Sequence, residues 1–384
     1  MKEKRKSFGK GFKGFVSLMM ATTLIGAAVL GITGCGKDGE KAYIVGATGP
    51  LTGENSSYGI SVNQGATLAF EEINAAGGLN GVKFEFVMKD DKSTAADAAS
   101  AYDQLFDAGM QVSLGSVTSG SCEAFAARAV SDNLFFITPS ASAASVIEKG
   151  KNAFRVCFGD PDQGILAAEE LTSKYTKIGC IYDTSDTYST GIWEAFDGKM
   201  KELNVAYSTR TFDSDNKKDF SAQVEALKDC EVIFLPIYYT EAGLIARACV
   251  AKELTNIALF GCDGLDGVAG QIDASVTNSI RYITPFDVNA TDEKTQKFVS
   301  SYEAKYGTKP DQFAADGYDA AYVVFEAMKA AGINDVNIKP GELCDKLIAA
   351  ITDASFSYAG VTGDMTWDAT GACTKTPVIV DLNQ

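Results

Sequence analysis

Nine apolar runs of strand length recur between residues 43 and 283, and longer stretches with helical spacing of apolar residues separate most of them. The runs are 43–47, 84–88, 111–114, 134–137, 178–182, 205–211, 232–235, 257–260 and 280–283. Helical stretches include 58–75, 94–108, 122–130, 163–174, 189–203, 220–227 and 242–253. Strands that are apolar almost throughout must be covered on both faces, and helical crossovers supply that cover when the strands run parallel. The expected class is therefore α/β, with doubly wound parallel sheets. After residue 283 the pattern becomes helical, at 292–305, 313–330 and 341–351, and closes with short extended pieces near 356–359, 365–367 and 378–380. Such a coda suggests that the chain crosses back to finish an earlier domain.

The amino terminus carries Lys2, Lys4, Arg5, Lys6, Lys10 and Lys13, followed by an apolar run over 15–32. A basic head, an apolar middle and small residues at the end describe a secretory signal. An uncleaved membrane anchor has the same length. Either reading puts the body of the chain outside the cytoplasm. The run ends Ile32-Thr33-Gly34-Cys35, which resembles a bacterial lipoprotein cleavage box with Cys35 as the acylated residue. Residues 1–34 are then the signal peptide and 35–41 a polar tether. Diacylation would hold the protein more firmly than a single chain.

Without residues 1–34 the chain has 28 basic and 49 acidic residues, a net charge of −21. That charge repels nucleic acid and anionic lipid, so neither is expected as a partner, and any membrane contact is expected through the lipid alone. The remaining length suggests two domains. There is no histidine in the chain, which rules out Ser-His-Asp and Cys-His catalysis and imidazole-bound zinc. The eight cysteines after Cys35 have no Cys-x-x-Cys spacing, and several, such as Cys180 and Cys249, sit inside apolar runs. They are expected to be buried free thiols behaving as small hydrophobes. No cofactor, metal or enzymatic activity is expected.

Ligands of open parallel sheets bind beyond the carboxyl ends of the strands. Here the third run leads into Gly115-Ser116-Val117-Thr118-Ser119-Gly120-Ser121, and the fourth into Thr138-Pro139-Ser140-Ala141-Ser142. Hydroxyls and free N–H groups without a nearby Lys or Arg suit a carboxylate; ordinary helix capping by Ser119 or Ser121 and by Ser140 or Ser142 uses the same residues. In the second series, run 232–235 exits to Tyr238 and run 257–260 to Asp263 beside glycines. An acid there can receive an ammonium with a phenol as second acceptor, although Asp-Gly is also a common turn. Tyr188, after run 178–182, stands where it can cover a ligand or lie exposed on a loop. The segment from Gly46 to Gly53 looks like a dinucleotide loop, but its glycine spacing is wrong and Pro50 removes an N–H that a phosphate would need.

The segments VGATGPLTGENSSYG, FEEINAAGGLNG, VMKDDKST, GSVTSGS, ITPSASA, DPDQG, QFAADGYDAAYVV and MTWDATG resemble, in order, the branched-chain amino-acid-binding proteins of ABC importers. The resemblance covers nearly all of the chain after the signal. It implies a type I periplasmic-binding fold, two doubly wound lobes joined by three hinge crossings near 157–160, 284–287 and 363–365. The first lobe would then comprise 42–158 and 286–363, and the second 159–285 and 364–384. The resemblance also implies roles. Ser119, Ser140 (through its backbone) and Ser142 match positions that bind a ligand carboxylate. Asp263, where the family often has Glu, and Tyr238 match those that bind its ammonium. Tyr58, Val117, Thr118, Tyr188 and Phe313 match the pocket wall. The implied function is uptake of a small amino acid or close analogue by cleft closure, with permease subunits in the membrane as partners. Alternatives are a sensor component, a binder of an amide or carboxylic acid without an α-ammonium, and an extracytoplasmic hydrolase, which the missing histidine disfavours.

Overall fold

A computed structural model describes residues 41–382. The basic head, the apolar run and Cys35 lie outside the described residues.

The chain starts with β1 (Ala42–Gly49), crosses over by α1 (Ser56–Ala75) and returns in β2 (Lys83–Asp90). Three further units follow: α2 (Ala95–Asp107) with β3 (Val112–Ser113), α3 (Ser119–Ser131) with β4 (Phe136–Thr138), and α4 (Ala144–Ile147) with β5 (Ala153–Arg155). A second series runs α5 (Asp160–Lys174), β6 (Ile178–Asp183), α6 (Thr187–Glu202), β7 (Ser208–Phe212), α7 (Ser221–Ala226) and β8 (Val232–Leu235). It ends with α8 (Tyr239–Ala251), β9 (Ala258–Gly261) and β10 (Ile280–Thr284). The coda is α9 (Glu293–Tyr306), α10 (Gln312–Ala330), α11 (Pro340–Ile351), a hairpin of β11 (Tyr358–Gly360) and β12 (Gly363–Met365), and β13 (Val378–Asp381).

Two sheets result, in the orders β2-β1-β3-β4-β5 and β13-β10-β9-β8-β6-β7. Every pairing is parallel except that of β13, which lies antiparallel on the edge against β10. The α/β class with helix-covered parallel sheets is as expected. Helix starts are set by polar caps: Thr94, Asp186, Asp292 and Asp311 each accept a hydrogen bond from a first-turn N–H. The coda returns to the first sheet. Val323, Val324, Leu343 and Leu347 pack in one core with Tyr43, Val45, Val112 and Phe154.

Val156 packs in that core and Phe158 in a core of the second lobe, so the chain first passes between lobes at Cys157. The second passage lies between Ile283 and Phe286, which belong to the second and first cores. The third differs from expectation. Met365, Trp367 and Cys373 are buried in the first core, whereas the family resemblance implies that 364–384 belong to the second lobe. The Trp367 indole N–H donates to Arg155 O at 2.8 Å, and Arg155 N donates to Gly371 O at 3.1 Å. Gly371 has φ +81°, and a Cβ there would run into the Ala153 carbonyl. The return to the second lobe therefore falls between Cys373 and Val378, not at 363–365. Lys375, in that passage, is ion-paired to Asp316 at 3.2 Å, with side-chain exposures of 0% and 3%. All eight cysteines of the described residues are free, and Cys230 alone among them is only partly buried. No helix among the described residues is long and apolar enough to cross a membrane.

Candidate functional site: the cleft between the lobes

Both lobes direct the carboxyl ends of their strands at one another. From the first lobe come the segment after β3 (Val117, Thr118, Ser119), the segment after β4 (Ser140), Tyr58 in the first turn of α1 and Phe313 in that of α10. The second lobe supplies Tyr188 from the first turn of α6, Tyr238 before α8, and Asp263 with Gly264 after β9. These ten residues enclose a single cavity of about 10 Å³, roughly the space of one water.

Nine of the ten residues singled out from sequence therefore share one cavity. Ser142 does not line it. That residue lies behind, fully buried, with its carbonyl accepting from Arg155 Nη1 at 2.8 Å and from Asp160 N at 3.0 Å. Neither serine pair caps a helix. Thr118 occupies the cap position of α3 and Ala143 that of α4. Ser119 Oγ instead accepts from Ala143 N at 3.3 Å, tying the two serine segments together, and Ser140 Oγ donates to Val117 O at 2.8 Å. The hydroxyl of Ser121 is buried without a partner, and that of Ser142 has the Asp160 carboxylate beside it.

Asp263 opens a short 3-10 turn, as an Asp-Gly sequence allows, yet its carboxylate faces the cavity. Tyr188 Oη donates to Asp263 Oδ1 at 2.7 Å and accepts from Gly264 N at 2.9 Å. Burial pushes the Asp263 carboxyl up to about 6, with the Tyr188 hydroxyl, the Gln163 side chain and the Gly264 N–H working in the opposite direction. No cation pairs with it among the described residues. A Cβ at residue 264 would come within 2.7 Å of Tyr188 Oη and 2.9 Å of Ile237 O, so the glycine is what lets the phenol approach.

The aromatic rings form the rest of the wall. Tyr188 stacks on Tyr238 with centroids 4.9 Å apart, and Tyr58 lies 4.1 Å from Phe313 and 5.7 Å from Tyr238. Tyr58 also links the lobes: its hydroxyl donates to Gly264 O and accepts from Tyr239 N at 3.2 Å. At the rim, Lys217 bridges Glu54 of the first lobe, at 2.5 Å, and Glu241 of the second, at 3.3 Å. Tyr239 Oη donates to Glu54 O at 2.5 Å.

Sequence reasoning did not single out Asp160, Gln163 and Gln312. Gln163 Oε1 accepts from Asp263 N at 3.0 Å, and Gln312 Nε2 donates to Asp263 O at 2.7 Å, so two amides hold the backbone of the acid from both lobes. Asp160 is fully buried at the start of α5. Neither of its carboxylate oxygens meets a donor in hydrogen-bond geometry. Burial raises its pKa well above the ordinary value, and the nearby Ser142 hydroxyl offsets only part of that. The DPDQG segment contained both Asp160 and Gln163 as a signal, but nothing in its spacing says that it meets Asp263. Among the described residues no group of His, Cys, Asp and Glu side chains is arranged to hold a metal.

A family model for periplasmic binding proteins matches residues 43–380. The chain belongs to that family. A Leu/Ile/Val-binding protein homolog 1 of Brucella abortus is 28% identical over 364 residues, 92% of this chain and 93% of its own. The solved leucine-binding protein LivK of Thermotoga maritima superposes with a TM-score of 0.78 at 27% identity, covering 88% of this chain and 95% of that one. LivJ of Streptococcus pneumoniae, a branched-chain amino-acid transporter substrate-binding protein solved with isoleucine, gives 0.75 at 28%, covering 89% and 100%. The protein is thus an extracytoplasmic solute-binding protein of the branched-chain amino-acid type, serving ABC transport rather than catalysis, and its class implies permease subunits as partners.

Proposed function

We propose that the protein binds a small α-amino acid or close analogue between its lobes for an ABC importer, and that it is held at the membrane by lipid on Cys35. The observation that carries this reading is Asp263, a buried carboxylate with no cationic partner, set in one cavity with Ser119 and Ser140 of the opposite lobe. In this reading the ligand carboxylate rests on Ser119 and the Ser140–Ser142 segment, and the ammonium meets Asp263 and Tyr238. Tyr58, Val117, Thr118, Tyr188 and Phe313 form the wall. Charge-assisted bonds made in a dry cleft are stronger than those in water, so the ligand favours the closed lobes by the contacts it makes only there. A ligand with a carboxylate but no ammonium would leave Asp263 unneutralised.

The passages at Cys157, between Ile283 and Phe286, and between Cys373 and Val378 act as the hinge. The cavity is smaller than an amino acid, so the aromatic side chains of the wall shift aside to seat the ligand between the closed lobes. The names of the relatives point the same way. Calorimetric titration of amino acids tests the reading: Asp263→Ala is expected to weaken the best ligand by roughly 2–5 kcal/mol, as for one partner of a desolvated pair. Unchanged affinity removes Asp263 from the site. For the anchor, Cys35→Ser is expected to move the protein from the membrane fraction to the soluble one.

A further inference from the structure

Outside the aromatic wall, and sharing Thr118 and Tyr238 with it, lies a second chamber of about 280 Å³ between the lobes. Its lining is polar and acidic, unlike the inner cavity. Asp183, Asp186 and Glu241 of the second lobe and Glu54 of the first face it, against Lys92 and Lys217. Lys217 is shared by Glu54 and Glu241, and Lys92 is drawn to Asp97 at 3.6 Å. Neither Asp183 nor Asp186 has an ion-pair partner among the described residues. Asp183 accepts from Ser185 N and Oγ, and Asp186 from Ser189 N, so their charge is hydrogen-bonded but not neutralised. A second, independent feature points to a ligand there. Ser121 lines the chamber, is 1% exposed, and its hydroxyl has no partner; an orphaned buried hydroxyl is costly unless something bonds to it.

We infer that the side chain of the bound amino acid passes between Thr118 and Tyr238 into this chamber and ends in a protonated nitrogen that Asp186 and Asp183 receive. The preferred ligands are therefore cationic amino acids, with an amine or guanidinium at the far end, rather than branched aliphatic ones. This rests on the amino-acid reading above and specifies its side chain. An aliphatic group pointed the same way would displace water from acids and serines and return no hydrogen bond, which disfavours it. An acidic side chain would face a net negative wall. Asp186 also caps α6, so its charge is held in place by the helix start rather than by the ligand.

The test is calorimetric titration of the purified protein with L-arginine, L-lysine, L-ornithine, L-leucine, L-isoleucine and benzoate, repeated on Asp186→Asn, since asparagine keeps the cap while removing the charge. The expected result is that at least one cationic amino acid binds tenfold or more tightly than leucine, and that Asp186→Asn costs it tenfold or more while leaving leucine within threefold. Leucine or isoleucine binding as tightly as any cation overturns this inference and leaves the amino-acid reading intact. That ranking is read on the unsubstituted protein, so it stands even if the variant folds poorly. Benzoate binding with no response to any amino acid overturns both.

Discussion

Replacing Asp263 with asparagine is expected to move two measurable quantities in opposite directions. The side chain is fully buried, and burial lifts its carboxyl from 3.8 to about 6. That rise corresponds to a penalty of about 3 kcal/mol on the ionised form in the folded protein. Asparagine keeps an oxygen for the Tyr188 hydroxyl, 2.7 Å away, but discards the charge. Allowing for the weaker hydrogen bond to a neutral acceptor, the ligand-free variant gains on the order of 1–3 kcal/mol at pH 7.5, a few degrees in melting temperature for a chain of this size. The same change deprives an ammonium of its counter-charge, so ligand affinity falls. The pH dependence gives a further check. A carboxyl with a raised folded pKa binds its proton more tightly when folded, so the native protein becomes relatively more stable as pH drops from about 6 towards 4, and the penalty disappears there. The advantage of the variant must therefore close over that window. Thermal melts of both proteins at pH 7.5, 6, 5 and 4 measure it. A variant no more stable than the native protein at pH 7.5, or a gap that stays constant with pH, refutes the reasoning.

Three other outcomes follow from the same geometry. Amino-acid affinity of the native protein should fall as pH drops below about 6, because the protonated Asp263 carboxyl no longer attracts an ammonium; calorimetry giving equal affinity at pH 7.5 and 5 contradicts this. Lys375→Met should destabilise by about 3–5 kcal/mol, since it strands Asp316 as a buried unpaired charge, and Lys375→Met with Asp316→Leu should recover most of the loss. Chemical denaturation in which the double variant is no better than the single one rules that out. Tyr58→Phe removes the hydroxyl that joins Gly264 O and Tyr239 N across the cleft, costing about 1–3 kcal/mol of closure. Small-angle scattering should then show a larger radius of gyration without ligand, and an unchanged radius counts against the link.

The fold was largely legible because the central strands of its sheets are apolar nearly throughout. Runs such as 232–235 and 178–182 have no polar face to confuse with a helix, and the chain places a helix between nearly every pair. What the pattern missed was short or set by contacts far away in sequence. Ala153–Arg155 is a three-residue strand with an arginine at its end, recruited by pairing with β4 rather than by its own composition. The third passage, which the family resemblance put at 363–365, lies later because the Trp367 bond to Arg155 O and the tight fit of Gly371 on Ala153 hold that segment on the first lobe.

The cavity was legible to the extent that its residues sit at strand exits, where Ser119, Tyr238 and Asp263 were found. Periodicity could not reveal that Ser142 lies behind the cavity, because its placement follows from Arg155 and Asp160 gripping its carbonyl. Nor could it reveal Gln163 and Gln312, each a first-turn residue whose partner, Asp263, is 100 and 49 positions away. Helix starts were read three residues late in α3, α5 and α8, since their polar first turns resemble loop. Those turns are the parts that reach the cleft.

The most direct measurement is a crystal structure of the protein with the α-amino acid it binds most tightly. The account predicts the ligand nitrogen within about 3 Å of the Asp263 carboxylate, with its carboxylate on Ser119 and the Ser140 segment across the gap. A ligand seated elsewhere than between the lobes, or one whose nitrogen turns away from Asp263, contradicts it.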